Sequence, residues 1–291
     1  MKKIAWTLFA FFLMTGAAGA GEKIGVAVTI APLAELAEQV GGDLVSVTVM
    51  VPPGGSPHTY EPTPGQFREL SRSRLYVKVG SGIEFERVWL DKILAVNRHL
   101  AVCDASHGIR PIGMAHHHHD GEKGGHHRHA GSDPHIWTSL NNAVIMTGNI
   151  RQSLTALDPA NEARYRNNAD AYISRLRALK NRVETGLQNV RQRKFMVFHP
   201  AFGYFAEEFN LIQIPVESGG KEPGAQSLAR LIKKAKADKI TVIFAEPQFN
   251  IKSARTLAQA IGGDVVMIDP LARNYLQNME KVAQTVTDKL R

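Results

Sequence analysis

Two signals alternate along this chain. One is a short β-branched run that ends at Pro or Gly. The other is a longer stretch with apolar residues at spacings of three and four. Lys23 to Ile30 is the first β-branched run and ends at Ala31-Pro32. Leu33 to Val40 has helical spacing and stops at Gly41-Gly42, a pair that ends helices. Leu44 to Val51 alternates as a strand and runs into Pro52-Pro53-Gly54-Gly55. Strand, helix, strand is the unit from which parallel sheets are built. Thr63 to Ser71 then predicts a short helix, Leu75 to Val79 a strand, Phe85 to Val96 a helix and Leu100 to Cys103 a further strand.

The longest helical pattern runs from Pro159 to about Val190. Asp158 is a candidate N-cap, and Pro159 suits the first helical position. Tyr165, Ala169, Tyr172, Ile173, Leu176, Leu179, Val183 and Leu187 then recur at spacings of three and four. At 1.5 Å per residue such a helix is about 45 Å long, enough to join two lobes. Beyond it the alternation resumes. Lys194 to Phe198, Leu211 to Val216, Ile240 to Phe244 and Val265 to Ile268 read as strands. Phe202 to Phe209, Gly224 to Ala237, Ser253 to Ile261 and Tyr275 to Leu290 read as helices. The pattern predicts two α/β lobes, residues 21–157 and 191–291, with a linking helix at 158–190. Ligand-binding residues of open α/β sheets gather at the carboxyl ends of strands.

Two segments depart from this alternation. At the start, Lys2-Lys3, an apolar run from Ile4 to Met14 and Ala18-Gly19-Ala20 have the order of a secretory signal peptide, expected over residues 1–20. The run is too short to span a bilayer, and no later stretch is long enough. With no cysteine near the cleavage site, the expected product is a periplasmic protein without a lipid anchor or transmembrane helix. The only cysteine is Cys103, so no internal disulfide can form. From Ser106 to Ser132 the chain is Gly and His with a few charges, which reads as a mobile loop inside the first lobe. The formal charge of +8 includes the two leader lysines, and no basic run is interleaved with aromatics, so nucleic acid is not an expected partner.

Metal-ligating residue types stand at several strand ends. His58 follows Leu44 to Val51 through the Pro/Gly turn, His199 follows Lys194 to Phe198, and Asp269 follows Val265 to Ile268. His135 comes after Asp133-Pro134, just past the Gly/His segment. Three imidazoles and a carboxylate suit Zn²⁺, which takes nitrogen and oxygen ligands in tetrahedral geometry at about 2.0–2.2 Å. The centre of the Gly/His segment adds seven imidazoles: His116, His117, His118, His119, His126, His127 and His129. They are expected to bind further zinc weakly, because ordering a flexible segment costs entropy.

Four stretches carry a resemblance. They are Gly54-Gly55-Ser56-Pro57-His58-Thr59-Tyr60-Glu61-Pro62, Asp133-Pro134-His135-Ile136-Trp137, Phe198-His199-Pro200-Ala201-Phe202-Gly203-Tyr204-Phe205 and Phe244-Ala245-Glu246-Pro247-Gln248-Phe249. In this order they resemble the periplasmic zinc and manganese substrate-binding proteins of ABC transporters. That resemblance implies two Rossmann-like α/β lobes with parallel sheets, linked by one long rigid helix, with a metal in the interlobe cleft. It implies His58, His135, His199 and Asp269 as ligands, with a water as the alternative to Asp269. Glu61 and Glu246, inside the first and fourth motifs, become candidates for support behind the ligands. A His at the third position and a His-rich segment before the second ligand are features of the zinc branch. Two departures stand out: no disulfide can form in the second lobe, and Pro57 stands where some zinc-branch members carry an acidic residue.

The implied function is high-affinity zinc capture in the periplasm and delivery to the membrane permease of an ABC importer, with no catalysis. The protein is expected to be a monomer, and a periplasmic zinc metallochaperone is a further candidate partner. Manganese or iron capture by the same fold is the first alternative, since raw affinity favours zinc at most sites and supply decides in the cell. A secreted zinc hydrolase is the second. It needs an open metal position and a general base, for which Glu246 is the one nominee. The chain has no His-Glu-x-x-His helix, and its ligand types are scattered singly.

Overall fold

A computed structural model of the chain describes residues 22–114, 131–217 and 219–291. The leader and the seven histidines from His116 to His129 lie outside these residues. The chain opens with β1 (Ile24–Ile30), α1 (Ala31–Gly41) and β2 (Val45–Val51). It continues through α2 (Pro64–Ser71), β3 (Leu75–Lys78), α3 (Glu84–Val96) and β4 (Ala101–Asp104). Helices α4 (Leu140–Leu157) and α5 (Glu162–Leu187) follow. The second lobe comprises β5 (Lys194–Val197), α6 (Gly203–Glu208), β6 (Ile212–Pro215), α7 (Ala225–Ala237), β7 (Val242–Ala245), α8 (Lys252–Ile261), β8 (Asp264–Met267) and α9 (Tyr275–Leu290). No helix among the described residues is long and apolar enough to cross a membrane.

All strand pairs in the two four-stranded sheets are parallel. The orders, β2-β1-β3-β4 and β6-β5-β7-β8, have the same topology. In each, the chain leaves the first strand toward one side and later returns to the other, so β1 and β5 mark the switch points where α/β sheets bind ligands. Sequence periodicity finds all of these strands: the inner ones, β1, β3, β5 and β7, are covered on both faces and largely apolar, whereas the edge strands are partly exposed and β2 alternates. In β5, Phe195 and Val197 face the main core while Met196 and the following Phe198 face a second one, with Ile214, Leu231 and Leu257.

The main core is continuous. It contains the first sheet, α1, α4 and α5, one face of the second sheet and the inner stripe of α9. Helix α5 buries Tyr165, Ala169, Tyr172, Leu176, Leu179, Val183 and Leu187, whereas Ile173 is only half-buried. Its neighbours are α4 and α1 of the first lobe and α9 of the second. The lobes are therefore joined through packed side chains as well as through the chain.

Helix α4 has no counterpart among the elements expected from the sequence. Its signals are present: Ser139 caps it by accepting from Asn142 N at 3.1 Å, and Leu140, Ala143, Met146, Ile150 and Leu154 are buried at helical spacing. Asp158 also differs from expectation. Pro159–Asn161 forms a 3-10 turn before α5, and the Asp158 carboxylate accepts from Tyr165 Oη and Asn161 Nδ2, both at 2.8 Å, leaving no side-chain cap on α5. A hydroxyl one turn along the helix is the nearer donor.

Other bonds tie the lobes together. Glu208, in α6, accepts from the first amides of α4, Leu140 N at 2.7 Å and Asn141 N at 3.0 Å. Trp137 Nε1 donates to Pro270 O at 2.7 Å, and Tyr275 Oη donates to Trp137 O at 2.8 Å. Because the core is shared, Leu176→Ala is expected to cost about 2–5 kcal/mol and to lower both lobes together. Urea melts followed by fluorescence, which reports Trp89 and Trp137 of the first lobe, and by far-UV circular dichroism should shift by the same amount.

Candidate metal centre

Three loops bring imidazoles to one point. His58 lies beyond β2 on a turn fixed by Gly55 N donating to Pro52 O at 2.9 Å. His135 begins a short 3-10 turn, Ile136–Thr138, that leads into α4. His199 stands two residues beyond β5 at the switch point of the second sheet. Nε2 of His135 is 3.2 Å from Nε2 of His58 and 3.1 Å from Nε2 of His199. One ligand atom from each of the three lies within 4.8 Å of the others. Two nitrogens bound about 2.05 Å from a tetrahedral ion are roughly 3.3 Å apart, so the spacing fits Zn²⁺ to within a few tenths of an ångström.

Each ring is turned by a carboxylate at its far nitrogen. Nδ1 lies 2.6 Å from Glu84 Oε2 in His58, 2.8 Å from Asp133 Oδ1 in His135 and 2.5 Å from Glu217 Oε1 in His199. An ionised carboxylate only accepts, so Nδ1 carries the proton and Nε2 presents its lone pair. These carboxylates are the residues sequence reasoning missed. Asp133 carried a local signal, an acid two residues before a histidine, and its Oδ1 also accepts from His135 N at 2.9 Å. Glu84 and Glu217 lie 26 and 18 residues from their histidines, spacings that no local motif encodes.

The supporting carboxylates are themselves held. Glu86 accepts from Thr29 Oγ1 at 2.6 Å, Val79 N at 2.5 Å and Gly80 N at 2.9 Å, which fixes the turn before α3. From that turn Ser81 Oγ donates to Pro134 O at 2.5 Å, and Phe85 N donates to Pro57 O at 2.9 Å. The loop that delivers Glu84 thus grips the chain beside both His58 and His135. In the second lobe Glu217 N donates to Phe198 O at 3.1 Å.

Burial and charge complete the site. His135 and His199 are buried, whereas the His58 side chain keeps 19% of its surface exposed. Burial pushes the His199 imidazole down to about 4, outweighing the Glu217 carboxylate that pulls it up, so the ring is neutral near pH 7. His199 stacks on Phe249 at 4.5 Å between centroids, and Trp137 meets His135 edge-on at 5.3 Å. The remaining space beside the imidazoles is a cavity of about 10 Å³, lined also by Pro57, Ala201, Pro270 and Leu271.

The other expected residues take different places. Asp269 is outside the converging cluster: its Oδ1 accepts from Gln248 Nε2 at 2.8 Å and from Leu271 N at 2.9 Å. Gln248, not Asp269, lines the cavity. Glu61 is exposed, and the carboxylate behind His58 is Glu84 instead, because the β3–α3 turn brings that residue to the ring. Glu246 is fully buried, and its Oε2 accepts from His199 N at 3.1 Å. Burial, with Glu217 and Asp269 nearby, pushes its carboxyl well above the usual range. Cys103 is buried in the first lobe, and burial raises its thiol to about 11.

Two parallel-sheet lobes on a long helix, with three carboxylate-backed imidazoles converging between them, define a two-lobed α/β binding protein with a metal-type site in its cleft. The chain belongs to the family of the periplasmic zinc-uptake complex component A, ZnuA, whose model matches residues 26–289. It is 30% identical over 257 residues to the high-affinity zinc uptake system protein ZnuA of Bacillus subtilis, covering 86% of this chain and 79% of that protein. It is also 30% identical over 304 residues to the zinc-binding lipoprotein AdcA of Streptococcus pneumoniae, covering 97% of this chain. The match spans 60% of that relative's length. A crystal structure of a zinc-bound ZnuA lacking residues 138–173 of its own numbering superposes with a TM-score of 0.85 at 39% identity, covering 92% of this chain and 98% of that one.

A His199 value near 4 has a definite consequence for stability. The unfolded imidazole titrates near 6.5, so between about pH 6.5 and 4 the unfolded chain takes up a proton that the folded chain refuses. The contribution is intact above pH 6.5 and is lost as pH falls toward 4. In metal-free protein, the stability of wild type relative to His199→Gln should therefore fall between pH 7.5 and 5, as read from urea midpoints.

Proposed function

We propose that this chain captures one Zn²⁺ between its lobes, on His58, His135 and His199, and delivers it to the membrane permease of an ABC importer. The single observation that carries the reading is the facing of three Nε2 lone pairs. With each Nδ1 donating to a carboxylate, neutral rings turn bare Nε2 lone pairs toward one another at 3.1–3.2 Å. A bound metal cation relieves that arrangement, and an all-imidazole donor set favours Zn²⁺ over Mn²⁺, which prefers oxygen. The zinc named for the relatives supports the same cargo. A water is the fourth ligand in this reading, because the cavity of about 10 Å³ has room for roughly one. Asp269 acts one step behind, holding Gln248 at the cavity wall.

The same cavity argues against hydrolysis, since it leaves no space for a peptide or ester beside the metal. Glu246, the nominated base, is a buried acid facing the His199 main chain. In this proposal the protein is a carrier without catalysis, acting as a monomer in the periplasm, with lobe boundaries near residues 157 and 191. The seven histidines from His116 to His129 add weaker zinc sites, and a metallochaperone is a further candidate donor.

Metal-stripped protein should bind one zinc tightly, with additional weak equivalents that vanish when residues 115–130 are deleted; calorimetric titration reads both. Zinc at 100 times its dissociation constant should add about 2.7 kcal/mol to stability. Each of His58→Ala, His135→Ala and His199→Ala should remove the tight equivalent, whereas Asp269→Asn should retain it. Unchanged melting of stripped protein on adding zinc would refute the reading.

Removing a supporting carboxylate tests the orientation of the rings. Glu217→Ala or Glu84→Ala should weaken zinc about 10–100-fold, measured by chelator competition, with the larger loss at the buried Glu217.

A further inference from the structure

We infer that Gly203 is a positioning residue for metal capture: it has no side chain so that the second lobe can close onto Asp133, the carboxylate that aims His135. This rests on the zinc-capture reading above. Gly203 begins α6, four residues beyond His199, whereas Asp133 lies two residues before His135 in the first lobe. A Cβ at residue 203 would stand 2.2 Å from Asp133 Oδ2 and 3.4 Å from its Cγ.

Backbone conformation does not call for glycine at this position. Gly203 is absent from the residues with positive φ, so any L residue could adopt its dihedrals. Helix propensity does not call for it either, because Gly is among the least favoured helix residues. Space is the reason that remains.

Asp133 cannot yield cheaply. It is 1% exposed, and its Oδ1 is bonded to both His135 N and His135 Nδ1. Its own amide donates to Ile112 O at 2.9 Å, so the backbone is held from behind. Oδ2, the atom against Gly203, has no hydrogen-bond partner among the described residues. A buried oxygen without a partner is held by the bonds of its twin and by the atoms packed on it. Moving Oδ2 aside rotates Oδ1 away from the imidazole. The contact therefore links the segment carrying His199 to the orientation of His135 and sets how closely those two ligands approach.

The test is a double-mutant cycle in the full chain, with zinc affinity measured by chelator competition. Wild type must bind zinc tightly; if it does not, the capture reading fails and the cycle says nothing against Gly203. Gly203→Ala should weaken zinc about 10–100-fold, the range for losing an outer hydrogen bond to a ligand. Imidazole ¹⁵N spectra of the zinc-loaded variant should lose the hydrogen-bonded Nδ1–H signal of His135 and keep those of His58 and His199. In Asp133→Ala, which removes the clash, adding Gly203→Ala should change the affinity less than threefold. This arm serves equally if the single Gly203→Ala variant does not fold. Wild-type affinity in Gly203→Ala, or a further tenfold loss on adding it to Asp133→Ala, overturns the inference.

Discussion

The structure depends on one electrostatic arrangement: three imidazoles whose outer nitrogens are pinned by carboxylates, so that their inner lone pairs meet. Glu84, Asp133 and Glu217 fix both the tautomer and the angle of each ring. Without them a histidine in a cleft is a mobile group with two interchangeable donors. With them it is a preset ligand, and the cost of orienting it has been met in folding. The same carboxylates balance charge. In the proposed zinc complex three neutral imidazoles and a dication leave a buried positive charge, which three nearby carboxylates offset through the rings.

Such a preset site needs a frame that holds two lobes in register. The continuous core supplies it. Helix α5 packs on α1 and α4 from one lobe and on α9 from the other, and Trp137, Glu208 and Tyr275 form hydrogen bonds across the junction. A flexible linker could not keep nitrogens from different lobes about 3 Å apart. The frame also limits the site to an ion. The apolar wall of Pro57, Ala201, Pro270 and Leu271 leaves about 10 Å³, too little for larger ligands or for bulk water. Away from bulk water, ion–ligand attraction is screened less.

Much of this was legible along the chain. The strand and helix alternation came from burial on both faces of parallel strands and one face of each helix, both local in pattern. His58 and His199 stood out as ligand-type residues beyond predicted strands, and His135 as the histidine of Asp133-Pro134-His135 just past the Gly/His segment. Helix α4 escaped although Ser139 and its buried stripe signalled it, because its moderate apolar content sits between two stronger features. Asp158 holds the N-cap position before Pro159, but its carboxylate accepts from the Tyr165 and Asn161 side chains, because residue type shows that a carboxylate can accept, and not which donor is nearest.

The sequence by itself determined the class of fold, the order of elements apart from α4, and the three histidines as candidates, since these follow from local periodicity and from side-chain chemistry. Tertiary structure alone decided the partners. Glu84 rather than Glu61 stands behind His58, Asp269 turns to Gln248 and Leu271 rather than to the metal site, and Glu246 faces the main chain of His199. The physical reason is that a hydrogen bond selects the acceptor within about 3 Å. Distances of that size between residues 18 or 26 apart in the chain are fixed only when the sheets, loops and lobes have packed.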